Sequence, residues 1–226
     1  DGIPPRSTTR PRRGDGVLDA DLRAGVIEAL DHGFLVERED HRLEVRHELV
    51  AQAIEGDLLP VQRRRHHLAL AASFGSDPAS ALSHWLAAFE PSRARASALA
   101  AASAAEKLDS AGDALAAREL ALELGAASGA RAADGKLLYE TAEVALAAGR
   151  ADRALAYLES AVGRFGERED AEIAASIYEM LGRVSRTLGD HDRALADHRR
   201  AASIVPRDQV ELRAEILASL AQTLML

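Results

Sequence analysis

The sequence predicts a mainly α-helical chain, in which a small helix–hairpin–helix module precedes a stack of paired helices. Nearly half of the 226 residues are apolar, yet only 4% are aromatic and alanine is abundant, a composition suited to helices packed closely through small side chains. Asp152-Arg153-Ala154-Leu155-Ala156 recurs unchanged as Asp192-Arg193-Ala194-Leu195-Ala196, and a fixed interval of that length marks an internal repeat. Gly112, Gly149 and Gly189 fall between stretches of helical periodicity and predict the turns between partner helices.

Residues 1–16 carry three prolines, three glycines and Arg6, Arg10, Arg12 and Arg13, with almost nothing to bury, so a disordered arm is expected. From Asp19, the expected N-cap, Leu22, Val26, Ile27 and Leu30 follow a helical period that Gly33 ends. Phe34-Leu35-Val36 and Leu43-Glu44-Val45 flank a polar stretch and read as a small hairpin, or wing. A second helix starts near His47 and closes at Leu58-Leu59-Pro60. Pro60 then opens the next helix, and Asp77-Pro78 and Glu90-Pro91 open two more.

Tyr178, Leu181, Gly182, Gly189, Ala194, Ala201 and Pro206 form the clearest repeat unit, and Leu138, Ala142, Gly149, Ala154, Leu158 and Ala161 stand at matching offsets before it. Small residues at the crossing let two helix backbones approach, and Pro206 ends the second helix. This spacing resembles the tetratricopeptide repeat. Asp208 and Glu211 have the spacing of a capping box before a further helix bearing Val210, Leu212, Ile216, Leu217, Leu220 and Leu224. That helix has no partner in the sequence, which together with the absent initial methionine predicts truncation at both ends. The expected organisation is an arm over 1–16, a winged-helix-like module over 17–75, connecting helices over 76–111 and tetratricopeptide-like repeats over 112–226.

The chemistry points to binding. A formal charge of −8 disfavours a nucleic-acid clamp, and with no cysteine the chain has no disulfide, thiolate metal site or cysteine nucleophile. It has no phosphate-binding Gly-x-x-x-x-Gly-Lys-Ser/Thr loop, no Gly-x-Ser-x-Gly elbow and no His-Glu-x-x-His pair, so an enzyme is not expected. Its carboxylates read as i,i+4 partners of arginine along helix faces. His66-His67 beside Arg63-Arg64-Arg65 reads as a solvated basic face, because neighbours on a helix diverge too far to share an ion. His191 and His198 are likewise too far apart, and Trp85 reads as an anchor between helices.

Arg46-His47-Glu48-Leu49-Val50, the Leu58-Leu59-Pro60 that follows, the Arg63–His67 run and Leu82-Ser83-His84-Trp85-Leu86 together resemble the region after the ATPase domain in large LuxR-type signal-transduction ATPases, mostly actinobacterial. Arg46-His47-Glu48 is also similar to the Met-His-Asp motif of NB-ARC-type ATPases. The resemblance implies an ATP/ADP-dependent transcriptional regulator as the parent, with His47 near the ADP phosphates, while the lack of a secretory pattern and of a long apolar run makes a cytoplasmic setting the expectation. Glu48 and Arg46 depart from the motif, so a cap-and-core role for His47 is the equal alternative. The repeats would then receive a protein or effector ligand, beside an upstream ATPase domain and away from any membrane. Two other readings stand: a DNA-binding winged helix, disfavoured by Asp19, Asp21, Glu28 and Asp31 on its first helix, and a free-standing repeat adaptor.

Overall fold

Helix α1 (Ala20–Asp31) ends where the sequence places its stop: Gly33 adopts φ +68°, and Phe34 N–H reaches back to Ala29 O at 2.8 Å. The computed structural model describes residues 20–39, 43–75, 77–127, 134–166 and 170–225, so the arm, Asp19 and the hairpin tip lie outside the described residues. Strands β1 (Leu35–Glu37) and β2 (Leu43–Val45) pair antiparallel with Leu35 opposite Val45, and an Arg38–Glu44 ion pair spans the hairpin. Helix α2 (Glu48–Asp57) follows, and Leu58 is extended just before Leu59-Pro60. The chain divides after Pro60, and no described residue of the first unit is fully buried. Leu22, Ile27, Phe34, Leu49 and Ile54 of this unit are all more than half exposed.

Among its described residues the second unit has helices as its only regular elements: α3 (Pro60–Ser73), α4 (Pro78–Ala87), α5 (Pro91–Lys107), α6 (Ala111–Ala127), α7 (Asp134–Ala147), α8 (Ala151–Val162), α9 (Ala171–Thr187), α10 (His191–Ile204) and α11 (Val210–Leu224). From α4 onward each helix packs on the next, and α9 also touches α11 across the intervening α10. Proline stands at the first position of α4 and α5, where a missing N–H costs nothing, and Asp77 caps α4 by accepting from Ser80 N–H at 3.2 Å.

One turn geometry recurs. Phe89, Asp109, Gly149 and Gly189 all have positive φ, and each N–H bonds the carbonyl three residues back, while the next residue's N–H bonds the carbonyl five back. Asp109 precedes Gly149 by the same interval that separates Gly149 from Gly189, so the period extends back to the α5–α6 pair. Gly112 is not the turn that the sequence analysis makes it. It lies inside α6, and Asp109 takes the left-handed conformation instead, which aspartate tolerates better than most residues. Ser110 follows immediately and donates to Asp113 Oδ2 at 2.6 Å, securing the start of α6. The expected capping box at Asp208 is also absent. Gln209 is the N-cap of α11 without a side-chain cap bond, and its Nε2 donates to Glu172 Oε2 at 3.0 Å.

The same register runs through the core. Ala114, Ala154 and Ala194 are each 0% exposed, as are Ala121, Ala161 and Ala201. A third series runs Ala102, Ala142 and Gly182, and a fourth Arg118, Leu158 and His198. Ala142 and Leu158 are both fully buried in the central cluster with Ile177, Met180, Leu181 and Val184. In the last repeat the large member of the pair is the His198 ring, and a Cβ on Gly182 would sit 2.3 Å from its Cδ2. Glycine at 182 is therefore the complement of a ring at 198.

Candidate partner-binding surface

Arginines tie the repeats together. Arg153 on α8 donates to Glu119 on α6 at 2.6 Å, and Arg193 on α10 donates to Glu159 on α8 at 2.7 Å, the same contact one repeat later. Tyr157 OH donates to Glu119 at 2.7 Å, and burial together with that carboxylate pushes the phenol up to about 12. Arg118 on α6 bridges Glu106 of α5 at 2.8 Å and Glu140 of α7 at 2.9 Å, with its side chain only 11% exposed. The i,i+4 pairs expected from sequence occur at longer range, as Lys136–Glu140 at 3.8 Å, Arg183–Glu179 at 3.7 Å and Arg193–Asp197 at 3.6 Å. Within the stack, the shorter pairs Arg118–Glu106, Arg118–Glu140, Arg153–Glu119 and Arg193–Glu159 connect different helices.

Around Arg118 lies a mixed-charge hollow of about 320 Å³, lined by Arg95, Leu99, Arg118, Lys136, Leu137 and Glu140. Its floor is built by the protein's own bonds, since Arg95 Nε donates to Ala121 O at 3.2 Å while Glu140 meets both Arg118 and Lys136. Burial lifts the Glu143 carboxyl above the ordinary range, and burial with neighbouring Glu143 and Glu179 raises Tyr139 to about 12.

The histidines fall differently from their sequence reading. His47 is the N-cap of α2, where its carbonyl accepts from Val50 and Ala51, but its side chain makes no cap bond and is exposed. A cap-and-core role for His47 is thus without a side-chain cap bond to carry it. Arg46 beside it lays its guanidinium against the Gly33 turn, where an added Cβ would lie 3.3 Å away. His66 and His67 diverge, as expected for neighbours on a helix. His67 leaves the solvated face to meet His84 of α4, Nδ1 to Nδ1 at 3.0 Å, while His84 stacks on Phe74. Trp85 is half-buried under the Arg93 guanidinium, 4.9 Å from the ring centroid.

His198 is fully buried, against Gly182 on α9 and with Nδ1 2.9 Å from Thr223 Oγ1 on α11. Thr223 also donates to Ser219 O, so the ring fastens the last helix to the stack. Burial holds the imidazole below the ordinary histidine value, and Arg183 and Arg186 from α9 push the same way against the Glu179 carbonyl. The folded chain therefore keeps His198 neutral, whereas the unfolded chain takes up a proton as pH falls through about 6.5. Its contribution is complete above that pH and is lost as pH falls toward the depressed folded value. Asp197, raised by burial, and Glu143 act oppositely, adding stability only on acidification into the carboxylate range. The midpoint of thermal unfolding should thus decline between about pH 7 and 5.5, and the decline should shrink in a Gly182→Ala/His198→Leu chain.

This geometry defines a helical-repeat protein, built of antiparallel helix pairs in one repeating register with a two-stranded hairpin in its first unit. No family model matches the chain, and no curated protein does. Among solved structures it is similar to the "Crystal structure of MamA protein", at 15% identity over 72% of this chain and 91% of that one, with a TM-score of 0.43. A second, the "Crystal structure of MamA", shares 16% identity over 68% of this chain and 90% of that one, also at 0.43. No helix among the described residues is long and apolar enough to cross a membrane.

Proposed function

We propose that the chain is a non-catalytic interaction scaffold, whose tetratricopeptide-like repeats hold a protein partner or effector ligand within a larger ATP-dependent transcriptional regulator. The observation that carries the scaffold reading is the repeated joint between helix pairs: Arg153–Glu119 and Arg193–Glu159 recur at equivalent positions, which marks successive repeats as meeting in one way and suits long helix faces to contact. The regulator reading rests on the resemblance of Arg46–Pro60 and Leu82–Leu86 to signal-transduction ATPases of the LuxR type. In that setting the first unit is a winged-helix-like module beside an ATPase domain, and its exposed Leu49 and Ile54 are the side chains such a neighbour would cover. His47, exposed at the start of α2, is the candidate contact for ADP phosphates, since orphan N–H groups at a helix start favour an anion. A cytoplasmic setting belongs to the same proposal.

Direct DNA binding is the weaker reading, because Glu28 and Asp31 on α1 would repel phosphates. Titrating the purified chain with ADP, ATP and duplex DNA at low salt separates the readings. The scaffold reading expects no ATP turnover and no salt-sensitive micromolar DNA binding. Robust hydrolysis would overturn it, and tight, salt-sensitive DNA binding would put the winged-helix reading first.

A further inference from the structure

The repeat register exposes one place where the stack is left unfilled. At the first of two equivalent positions Ala101 is half-buried, while Thr141 and Leu181 are buried. At the second, Ala104 is exposed, Val144 half-buried and Val184 fully buried. The later repeats thus carry larger side chains that their neighbours cover, whereas α5 offers alanine to open space. The flanking helix is also short, since α4 has 10 residues against 17 in α5, so the last turns of α5 extend beyond it. What results is a groove of about 450 Å³, floored by Ala101, Ala104 and Ala105 and walled by Leu82 of α4 and Ala117 of α6, with Leu108 at its mouth 80% exposed.

We propose that this groove docks an amphipathic helix of a partner protein, whose apolar stripe is flanked by arginine or lysine. The proposal rests on the scaffold reading and names its ligand class. A helix fits better than a strand, because the walls are helices with no sheet edge to extend, and an alanine floor lets a third backbone approach closely. The flanking charge follows from the rim. Asp77 and Asp113 line the mouth, and no cation stands among the lining residues. Each carboxylate accepts from a serine hydroxyl, Asp77 from Ser80 and Asp113 from Ser110, and keeps lone pairs for a cation. Helix α11 of a second copy is a poor occupant, because its exposed Val210, Leu217 and Leu224 are flanked by Glu211 and Glu215 with only Arg213 between them. Helix α3 of a second copy, with exposed Val61 and Leu70 beside Arg63, Arg64 and Arg65, is the self-association that the test must separate from a partner's helix.

A peptide library displayed on a helical scaffold, selected on the full chain, tests this. The expected consensus is leucine, isoleucine, methionine or phenylalanine at i, i+3/i+4 and i+7 with arginine or lysine at one end. A synthetic consensus peptide should lose at least about tenfold in affinity for an Ala104→Trp chain, which fills the groove from an exposed position. The same peptide with its flanking cations changed to glutamate should lose as much. An unchanged unfolding midpoint for Ala104→Trp confirms that the loss is local. Peptides that bind the Ala104→Trp chain undiminished, or that carry acidic flanks, overturn the groove proposal and leave the scaffold reading standing. A library that yields no binder counts against both. Self-association that Ala104→Trp abolishes would make the occupant a second copy and overturn the partner assignment.

Discussion

Gly182→Ala is expected to lower the midpoint of thermal unfolding by roughly 6–12 °C, corresponding to about 3 kcal/mol in a unit of this size. In an open helical position the same change would stabilise by about 1 kcal/mol, because alanine is the better helix former. Here the added methyl would lie 2.3 Å from the His198 ring, which cannot retreat, being 0% exposed and bonded to Thr223 on α11. A second substitution shows that this is a matter of fit. Gly182→Ala/His198→Leu imports the Ala142 and Leu158 pair found one repeat earlier, and should recover most of the lost midpoint. His198→Leu alone, facing glycine, should leave a small void and lose the Thr223 bond, placing it between the wild type and Gly182→Ala. Thermal unfolding of the four chains measures the coupling directly.

Arg118→Ala is the second large effect, a loss of about 2 kcal/mol measured by urea unfolding. The Arg118 side chain is only 11% exposed and holds Glu106 and Glu140 from two different helices, so its removal leaves two partly covered carboxylates without their shared cation. Arg153→Ala is the contrasting case. Its side chain is 43% exposed, and the pair it forms with Glu119 is screened by water, so the midpoint should scarcely move. Equal losses from the two substitutions would show that burial does not govern the worth of these joints.

The stack is legible in the sequence wherever one residue type answers one backbone demand. Gly149 and Gly189 mark turns with positive φ, Pro206 follows the end of α10, and Ala154, Ala161, Ala194 and Ala201 mark the crossings. The α5–α6 turn is hidden because its left-handed residue is Asp109, which carries no glycine signature, while the nearby Gly112 carries that signature inside a helix. For His198 the sequence gives only its distance from His191, because its complement is the absence of a side chain at Gly182 on another helix. The His67–His84 contact and the arginine joints between repeats are tertiary for the same reason, since a charged residue looks alike in sequence whether its partner lies on its own helix or the next. The signal that could find them is the register itself: Arg153 and Arg193, like Glu119 and Glu159, stand one full repeat apart.

Everything functional here depends on each helix pair meeting the next in the same way. The chain has no cysteine, so spin labels can be placed at will, and Ala116, Ala156 and Ala196 are exposed equivalents on α6, α8 and α10. Electron–electron distance measurement between labels at 116 and 156, and separately at 156 and 196, should give two narrow distributions centred on one common distance. Two clearly different distances, or a broad distribution for either pair, would contradict a regular repeat stack and the docking surface built upon it.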